Sequence, residues 1–370
     1  MRRKDRLRIG VDVDDVLYLC NQHAVDMLAR DRNLDGLDLY DIDSWGPGGT
    51  NPILDERLAY FSQPDFVLGQ PLIPGAQEFI KKLSNKGEVF FVTAVGSNCM
   101  NERARRLIAD FPQVPGRNIL IGARKDLIAL DILLDDGAHN ILGSCAKYPV
   151  LFRRPWNNNL TGLLAVNSYD DFLSLVDQIR GRGSDGIPDF SKGGIICLVG
   201  PSGSGKTELA KVISGKRGFR RPVTTTTRSR RSGENENYNF IGKKEFQKAQ
   251  DRGDFLEFTV YGGQYYGCSS KAVTDIMDKH ETAVMPIDIC GAIAMKNAFP
   301  DCCIIVFTDR SRRAVLRSII NMDCPEDEKV LRILSLDSEF GNEDICDYSL
   351  SMDQGANVAA DNLIRYIMPS

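Results

Sequence analysis

The segment ICLVGPSGSGKTELAKV (residues 196–212) sets Gly-x-x-x-x-Gly-Lys-Thr at positions 200–207, directly after an apolar run and directly before a helical pattern. In that context the spacing has a chemical meaning. Glycines let successive backbone N–H groups crowd around phosphate oxygens, and the helix that follows adds the positive end of its dipole. Gly200, Ser202, Gly203, Ser204 and Gly205 supply the cradle. Lys206 reaches the β and γ phosphates of a nucleotide such as ATP, and the Thr207 hydroxyl takes the accompanying Mg²⁺. The competing reading is a glycine-rich strand-to-helix turn with no ligand; all four fixed positions of the motif argue against it.

A second set of chemistry-bearing residues lies far upstream. VDVDDV puts Asp12 and Asp14 just beyond a short apolar strand, on alternate residues of an extended segment, so both carboxylates can point the same way. One carboxylate can attack phosphorus while its neighbour shuttles a proton to the leaving oxygen. Two acids that close call for a cation, and Mg²⁺ is the hard ion that oxygen ligands select. Thr93 ends a second apolar run (VFFVTAV), and ARKDLIALDILLDD supplies Lys125 and the pair Asp135–Asp136. A hydroxyl and an ammonium suit a phosphoryl group, and paired acids suit a metal.

In this order and at strand ends, these residues resemble the four motifs of the haloacid dehalogenase-like phosphatases. The tails LFRRPWNNN and NSYDDFL narrow the similarity to the 5′(3′)-deoxyribonucleotidase family, over roughly residues 7–180. The resemblance implies a doubly wound parallel sheet with a small helical cap at about residues 18–74. It makes Asp12 the nucleophile that becomes an aspartyl phosphate and Asp14 the general acid/base. Thr93 and Lys125 would bind the phosphoryl group, and Asp12, Asp14, Asp135 and Asp136 would share the metal site.

Downstream of the phosphate loop, TTTTRSRRSGENENYNF (residues 224–240) combines arginines with a phenol donor, a set suited to one monophosphate. A solvated basic loop or a nucleic-acid patch is the plainer alternative. Glu257, in GDFLEF, offers a carboxylate that can accept from the adjacent N1–H and N2–H donors of guanine, a pairing that rejects bases lacking them. Together these segments resemble guanylate kinase over about residues 193–368. By that resemblance Thr224, Arg228, Arg231, Glu234, Tyr238, Glu257, Tyr266 and Asp288 line a GMP or dGMP pocket, and the lid arginines Arg317 and Arg332 assist transfer. The chain departs from the family at three places. Cys268 stands where a Ser or Thr reads the base, Pro286 replaces an acid near the metal, and Asn321 replaces a lid arginine.

Elements able to hold these residues are legible in the apolar pattern. Short strands are expected at 7–13, 89–95, 130–135 and 148–152, with helices around 76–86, 100–110 and 169–180 between and after them. The stretch GRGSDGIPDFSKGG reads as a linker, and a second alternation runs through GIICLVG, AVMPID and CCIIVFTD. Strands alternating with helices mean parallel sheets covered on both faces. The expected architecture is α/β in two domains, 1–183 and 193–370, joined by residues 184–192. At 370 residues two cores are the natural division. A net charge of −4 gives no drive toward nucleic acid or anionic membrane. The basic start lacks an apolar segment behind it, so neither a signal peptide nor an anchor is expected. Ten scattered cysteines without a C-x-x-C pair fit free thiols in a reducing cytoplasm.

The function expected is that of a bifunctional cytoplasmic nucleotide enzyme, hydrolysing nucleoside monophosphates with one half and phosphorylating GMP or dGMP from ATP with the other. A phosphatase carrying a guanine-nucleotide sensor is the second reading, and a polynucleotide end-processing enzyme the third. Association of identical chains is compatible with the sequence.

Overall fold

The structure is a computed structural model that describes residues 6–157, 160, 163–181, 187–230, 238–261, 264–324 and 326–368. By backbone contacts the chain divides into one unit of Met1–Asn158 with Ala165–Leu173 and another of Asn159–Leu164 with Ser174–Ser370. Of the linker expected at 184–192, residues 184–186 lie outside the described residues.

In the first unit the apolar runs form β1 (Arg8–Val11), β2 (Glu88–Thr93), β3 (Ile119–Ile121), β4 (Ile132–Asp135), β5 (Tyr148–Phe152) and β6 (Ala165–Val166). Among the described residues they make one sheet in the order β3-β2-β1-β4-β5-β6 with every pairing parallel. From β1 the chain first builds outward through β2 and β3, then returns to add β4 on the other side of β1. That reversal opens a crevice at the carboxyl ends of β1, β2 and β4. Ile9, Val11, Phe91 and Leu134 are fully buried there, as a sheet covered on both faces requires.

Between β1 and β2 the chain leaves the sheet to build helices, Cys20–Arg32 and Pro64–Gly69, with a 3-10 stretch at Pro52–Ser62 between them. It leaves and re-enters through a short paired stem. Leu19 N–H donates to Pro71 O at 2.8 Å, Ile73 N–H donates to Leu17 O at 2.9 Å, and Tyr18 pairs with Leu72 as an isolated bridge.

In the second unit β7 (Ile195–Val199), β8 (Phe219–Arg220), β13 (Thr282–Pro286), β14 (Cys303–Asp309) and β15 (Tyr348–Ser351) form a parallel sheet in the order β15-β14-β7-β13-β8. A separate mixed sheet, absent from the sequence expectation, joins β9 (Thr224–Thr226), β10 (Tyr238–Phe240), β11 (Phe255–Tyr261) and β12 (Gln264–Ser269) in the order β10-β9-β12-β11. One face of the parallel sheet is sealed by Ile196, Leu198, Leu209, Ile213, Val306 and Leu363. Among the described residues no helix is long and apolar enough to cross a membrane.

Candidate active sites

Each acid of the first unit stands where a strand ends. Asp12 follows β1, anchored by its N–H to Leu134 O at 2.8 Å; Thr93 closes β2, Asp135 closes β4, and Asp136 follows. Asp12, Asp135 and Asp136 are buried, and one ligand atom from each lies within 4.8 Å of the others. Lys125 bridges two of them: its Nζ donates to Asp12 Oδ1 at 2.8 Å and to Asp135 Oδ2 at 2.7 Å. Burial works against the Lys125 ammonium, but the two carboxylates outweigh it and push its pKa up. Burial also presses the Asp12 and Asp136 carboxyls upward; in both, neighbouring aspartates add to the effect and Lys125 opposes it. Three buried acids facing one ammonium leave a surplus of negative charge that a hard divalent cation on oxygen ligands fits.

Residues to which the sequence reading assigned no role aim this cluster, two of them within the LFRRPWNNN tail. Gly137 N–H donates to Asp135 Oδ1 at 2.8 Å, and Asn140 Nδ2 donates to both carboxylate oxygens at 3.0 and 3.1 Å. Trp156 Nε1 donates to Asp136 Oδ2 at 3.0 Å, and Asn157 Nδ2 donates to Asp136 O at 2.9 Å. The Thr93 hydroxyl is fully buried without a partner among the described residues, a group left for an incoming oxygen.

Asp14 does not join the cluster, contrary to the expectation of a shared metal ligand. Its Oδ1 accepts from Arg103 Nη2 at 2.6 Å and from Gln70 Nε2 at 3.0 Å. One of these donors stands on the helix Met100–Asp110 and the other directly follows the helix Pro64–Gly69. The next residue, Asp15, adopts φ 54° and is gripped by Asn21 through its carboxylate and by Arg154 Nε through its carbonyl at 2.6 Å.

In the second unit the glycine-rich loop follows β7. Gly200 has φ +143°, and a Cβ there would lie 2.5 Å from Thr308 Oγ1, so no other residue fits. Ser204 Oγ shares a 2.6 Å hydrogen bond with Thr308 Oγ1, tying the loop to β14. Lys206 Nζ donates to Gly200 O and to Pro201 O, and burial lowers its pKa to about 8. Thr207 is exposed in the first turn of the helix Lys206–Ser214. Ser202 is met from outside the loop: its N–H donates to Glu339 Oε2 at 2.8 Å, and Arg332 Nη1 donates to its hydroxyl. Arg310 Nη1 reaches Gly203 O at 3.2 Å. Of the two arginines expected in a lid, Arg332 is thus on the loop, while Arg317 lies exposed on the helix Arg312–Ile320. Asn321 is exposed at that helix's carboxyl end.

Four of the eight expected monophosphate and base residues, Thr224, Tyr238, Glu257 and Tyr266, share the mixed sheet. Thr224 pairs with Tyr238, Tyr266 with Thr226, and Glu257 with Cys268. The Arg228 guanidinium stands 5.2 Å over the Tyr238 ring. Arg231 and Glu234 lie outside the described residues. Asp288 caps the helix Ile289–Ala298, its Oδ1 accepting from Gly291 N–H at 2.8 Å. A Cβ at Gly291 would stand 3.0 Å from Glu257 Oε2; glycine therefore keeps the carboxyl's surroundings open. Glu257 is 7% exposed, and its Oε2 has no partner among the described residues. Burial, then Asp288, raise its pKa to about 8, with a backbone hydrogen bond from Cys268 opposing. Pro286 ends β13 opposite Leu198, and the next N–H, of Ile287, donates to Leu198 O at 3.1 Å.

Residues 192–359 match the family model for guanylate kinase, and residues 6–182 match the model described as 5′ nucleotidase, deoxy (pyrimidine), cytosolic type C protein. A guanylate kinase from Fusobacterium nucleatum is 32% identical over 143 residues, covering 38% of this chain and 77% of the relative. One from Symbiobacterium thermophilum is 30% identical over 179 residues, covering 47% of this chain and 85% of the relative. A magnesium-bound structure of the HAD-hydrolase YfnB from Bacillus subtilis shares 14% identity over 46% of this chain and 99% of its own, at a TM-score of 0.32.

Proposed function

The chain belongs, through its C-terminal half, to the guanylate kinase family, and its N-terminal half resembles the haloacid dehalogenase-like 5′-nucleotidases; from these facts we propose a bifunctional enzyme of nucleotide metabolism. The N-terminal domain hydrolyses nucleoside or deoxynucleoside monophosphates. The C-terminal domain transfers phosphate from ATP to GMP or dGMP. The functional division falls at residues 184–192. Ten free cysteines agree with a reducing, cytoplasmic setting.

The observation that carries the phosphatase reading is Lys125 spanning Asp12 and Asp135 inside a buried three-carboxylate cluster. Asp12, Asp135 and Asp136 would hold Mg²⁺, which supplies positive charge to the phosphoryl group when bound. The chain's own residues do the rest. An Asp12 carboxylate oxygen attacks phosphorus, the bond to the nucleoside 5′ oxygen breaks, and Asp14 gives that oxygen its proton. Water, surrendering a proton to Asp14, then attacks the phosphorus of the aspartyl phosphate and frees Asp12. Lys125 and the Thr93 hydroxyl bind the phosphoryl oxygens through both steps.

In the C-terminal domain Lys206 and the loop amides bind the ATP phosphates, and Thr207 the accompanying Mg²⁺. Glu257 accepts from guanine N1–H and N2–H, while Thr224, Arg228, Arg231, Glu234, Tyr238, Tyr266 and Asp288 complete the monophosphate pocket. Arg317 and Arg332 stabilise the transferring phosphoryl group. Pro286 and Asn321 favour a second reading, a guanine-nucleotide sensor with weakened transfer.

Asp12→Asn tests the first activity. Phosphate release from every monophosphate should vanish while ADP formation from ATP and GMP continues, and surviving release overturns the nucleophile assignment. Tight GMP binding without ADP formation decides for the sensor.

A further inference from the structure

Asp14 is gripped from two directions. Arg103 reaches it from the helix Met100–Asp110, whose buried residues are Arg103 and Leu107. An arginine at 1% exposure on the apolar stripe of a helix carries a heavy desolvation cost unless it is paired. Asp14, at 2.6 Å, is that pair. Gln70 reaches the same oxygen at 3.0 Å and follows directly on the cap helix Pro64–Gly69, next to the stem where residues 17–19 pair with 71–73. One donor therefore belongs to the sheet domain and the other to the foot of the cap. Both fall on Oδ1; the Cys20 thiol, a weak donor, lies beside the same carboxylate.

The surrounding contacts brace this arrangement. Arg106, one turn from Arg103, donates to Val67 O at 3.1 Å and to Leu68 O at 2.5 Å, both on the cap helix. Its Nε also donates to Asp110 Oδ2 at 3.2 Å, which accepts from the hydroxyl of the stem residue Tyr18 at 2.7 Å.

We propose that Arg103 and Gln70 are positioning residues for Asp14, holding its carboxyl where it hands a proton to the departing 5′ oxygen, and that Gln70 ties that geometry to a seated cap. The proposal rests on the nucleotidase reading. In the step concerned, the Asp12–phosphorus bond forms, the bond from phosphorus to the 5′ oxygen breaks, and the Asp14 proton moves to that oxygen.

A misplaced acid slows only the reactions that need its proton, so the leaving group reads it. p-Nitrophenyl phosphate departs as a stabilised anion, whereas a nucleoside 5′-monophosphate departs as an alkoxide that must be protonated. Arg103→Met and Gln70→Leu should each lower the ratio of kcat on deoxynucleoside monophosphates to kcat on p-nitrophenyl phosphate by about 10- to 100-fold. KM should change little, and Arg103→Lys should recover part of the ratio. Equal losses on the two substrates in both variants overturn the proposal. Should Arg103→Met fail to fold, Gln70→Leu carries the test alone, because it removes one neutral donor. Asp12→Asn run in parallel must lose both substrates; activity remaining there would overturn the nucleotidase reading instead.

Discussion

Glu339 sits on the phosphate loop: its Oε2 accepts the Ser202 backbone N–H at 2.8 Å, an amide that such loops turn toward phosphate oxygens. A phosphate oxygen and this carboxylate compete for one donor and repel each other. Burial pushes the Glu339 carboxyl up, and Lys206 draws it back. Glu339→Gln keeps the shape and removes the charge, so ATP should bind more tightly, by on the order of 1 kcal/mol or about fivefold. Calorimetric titration with ATP measures it. Weaker binding in the variant would mean that Glu339 preorganises the loop instead of guarding it.

Lys125→Met strands Asp12 and Asp135 against each other in a buried site. Removing one partner of a buried ion pair costs about 3–5 kcal/mol, so the N-terminal domain should melt at a lower temperature without metal. Mg²⁺ should return more stability to the variant than to the wild type, since it replaces the missing charge. Melting curves with and without Mg²⁺ check this, and equal metal responses contradict it.

In the proposed GMP pocket, Glu257 should make guanine binding depend on pH. Its folded pKa of about 8 lies above the ordinary 4.5 because of burial and Asp288, and the carboxylate, not the acid, is the form that accepts two guanine donors. GMP affinity should rise with pH up to about 8, and binding at pH 7 should release a proton, measurable by calorimetry in buffers of different ionisation enthalpy. Stability runs the other way. Between pH 4.5 and 8 the folded chain holds a proton that the unfolded chain has lost, so this contribution is greatest below 4.5 and shrinks as pH rises to 8. Glu257→Gln should bind GMP more weakly at pH 8 yet melt above the wild type there, with the two melting curves converging near pH 5.

What the amino-acid pattern shows and hides follows from the range of the interactions. The helices Ala76–Lys86, Met100–Asp110 and Tyr169–Arg180 stand where apolar residues recur at helical spacing. Asp12, Thr93 and Asp135 were legible because each ends an apolar strand. The strands Ile119–Ile121 and Ala165–Val166 are too short to show alternation, and so are Thr224–Thr226 and Tyr238–Phe240 of the mixed sheet, which fall in a stretch that reads as a basic loop. Arg103, Gln70 and Glu339 were hidden for another reason: their partners lie 89, 56 and 137 residues away. One signal did exist, since Arg103 occupies an apolar-stripe position one turn before Leu107.

In the proposed phosphoryl transfer, charge at the expected lid should set the rate. Arg332 already touches Ser202, and Arg310 reaches the Gly203 carbonyl, so two guanidinium groups attend the loop. Asn321, at the exposed end of the helix Arg312–Ile320, withholds another. Arginines that stabilise a transferring phosphoryl group are worth roughly 10³–10⁵ in rate when wholly supplied or removed; one partly compensated position should give less, about tenfold or more. Asn321→Arg is exposed and costs the fold little, so the expected result is faster ADP formation from ATP and GMP at unchanged GMP affinity. If the rate stays flat while GMP still binds, the missing lid charge is not what limits transfer, and Pro286, at the end of β13 beside the loop-bearing strand, becomes the next position to restore.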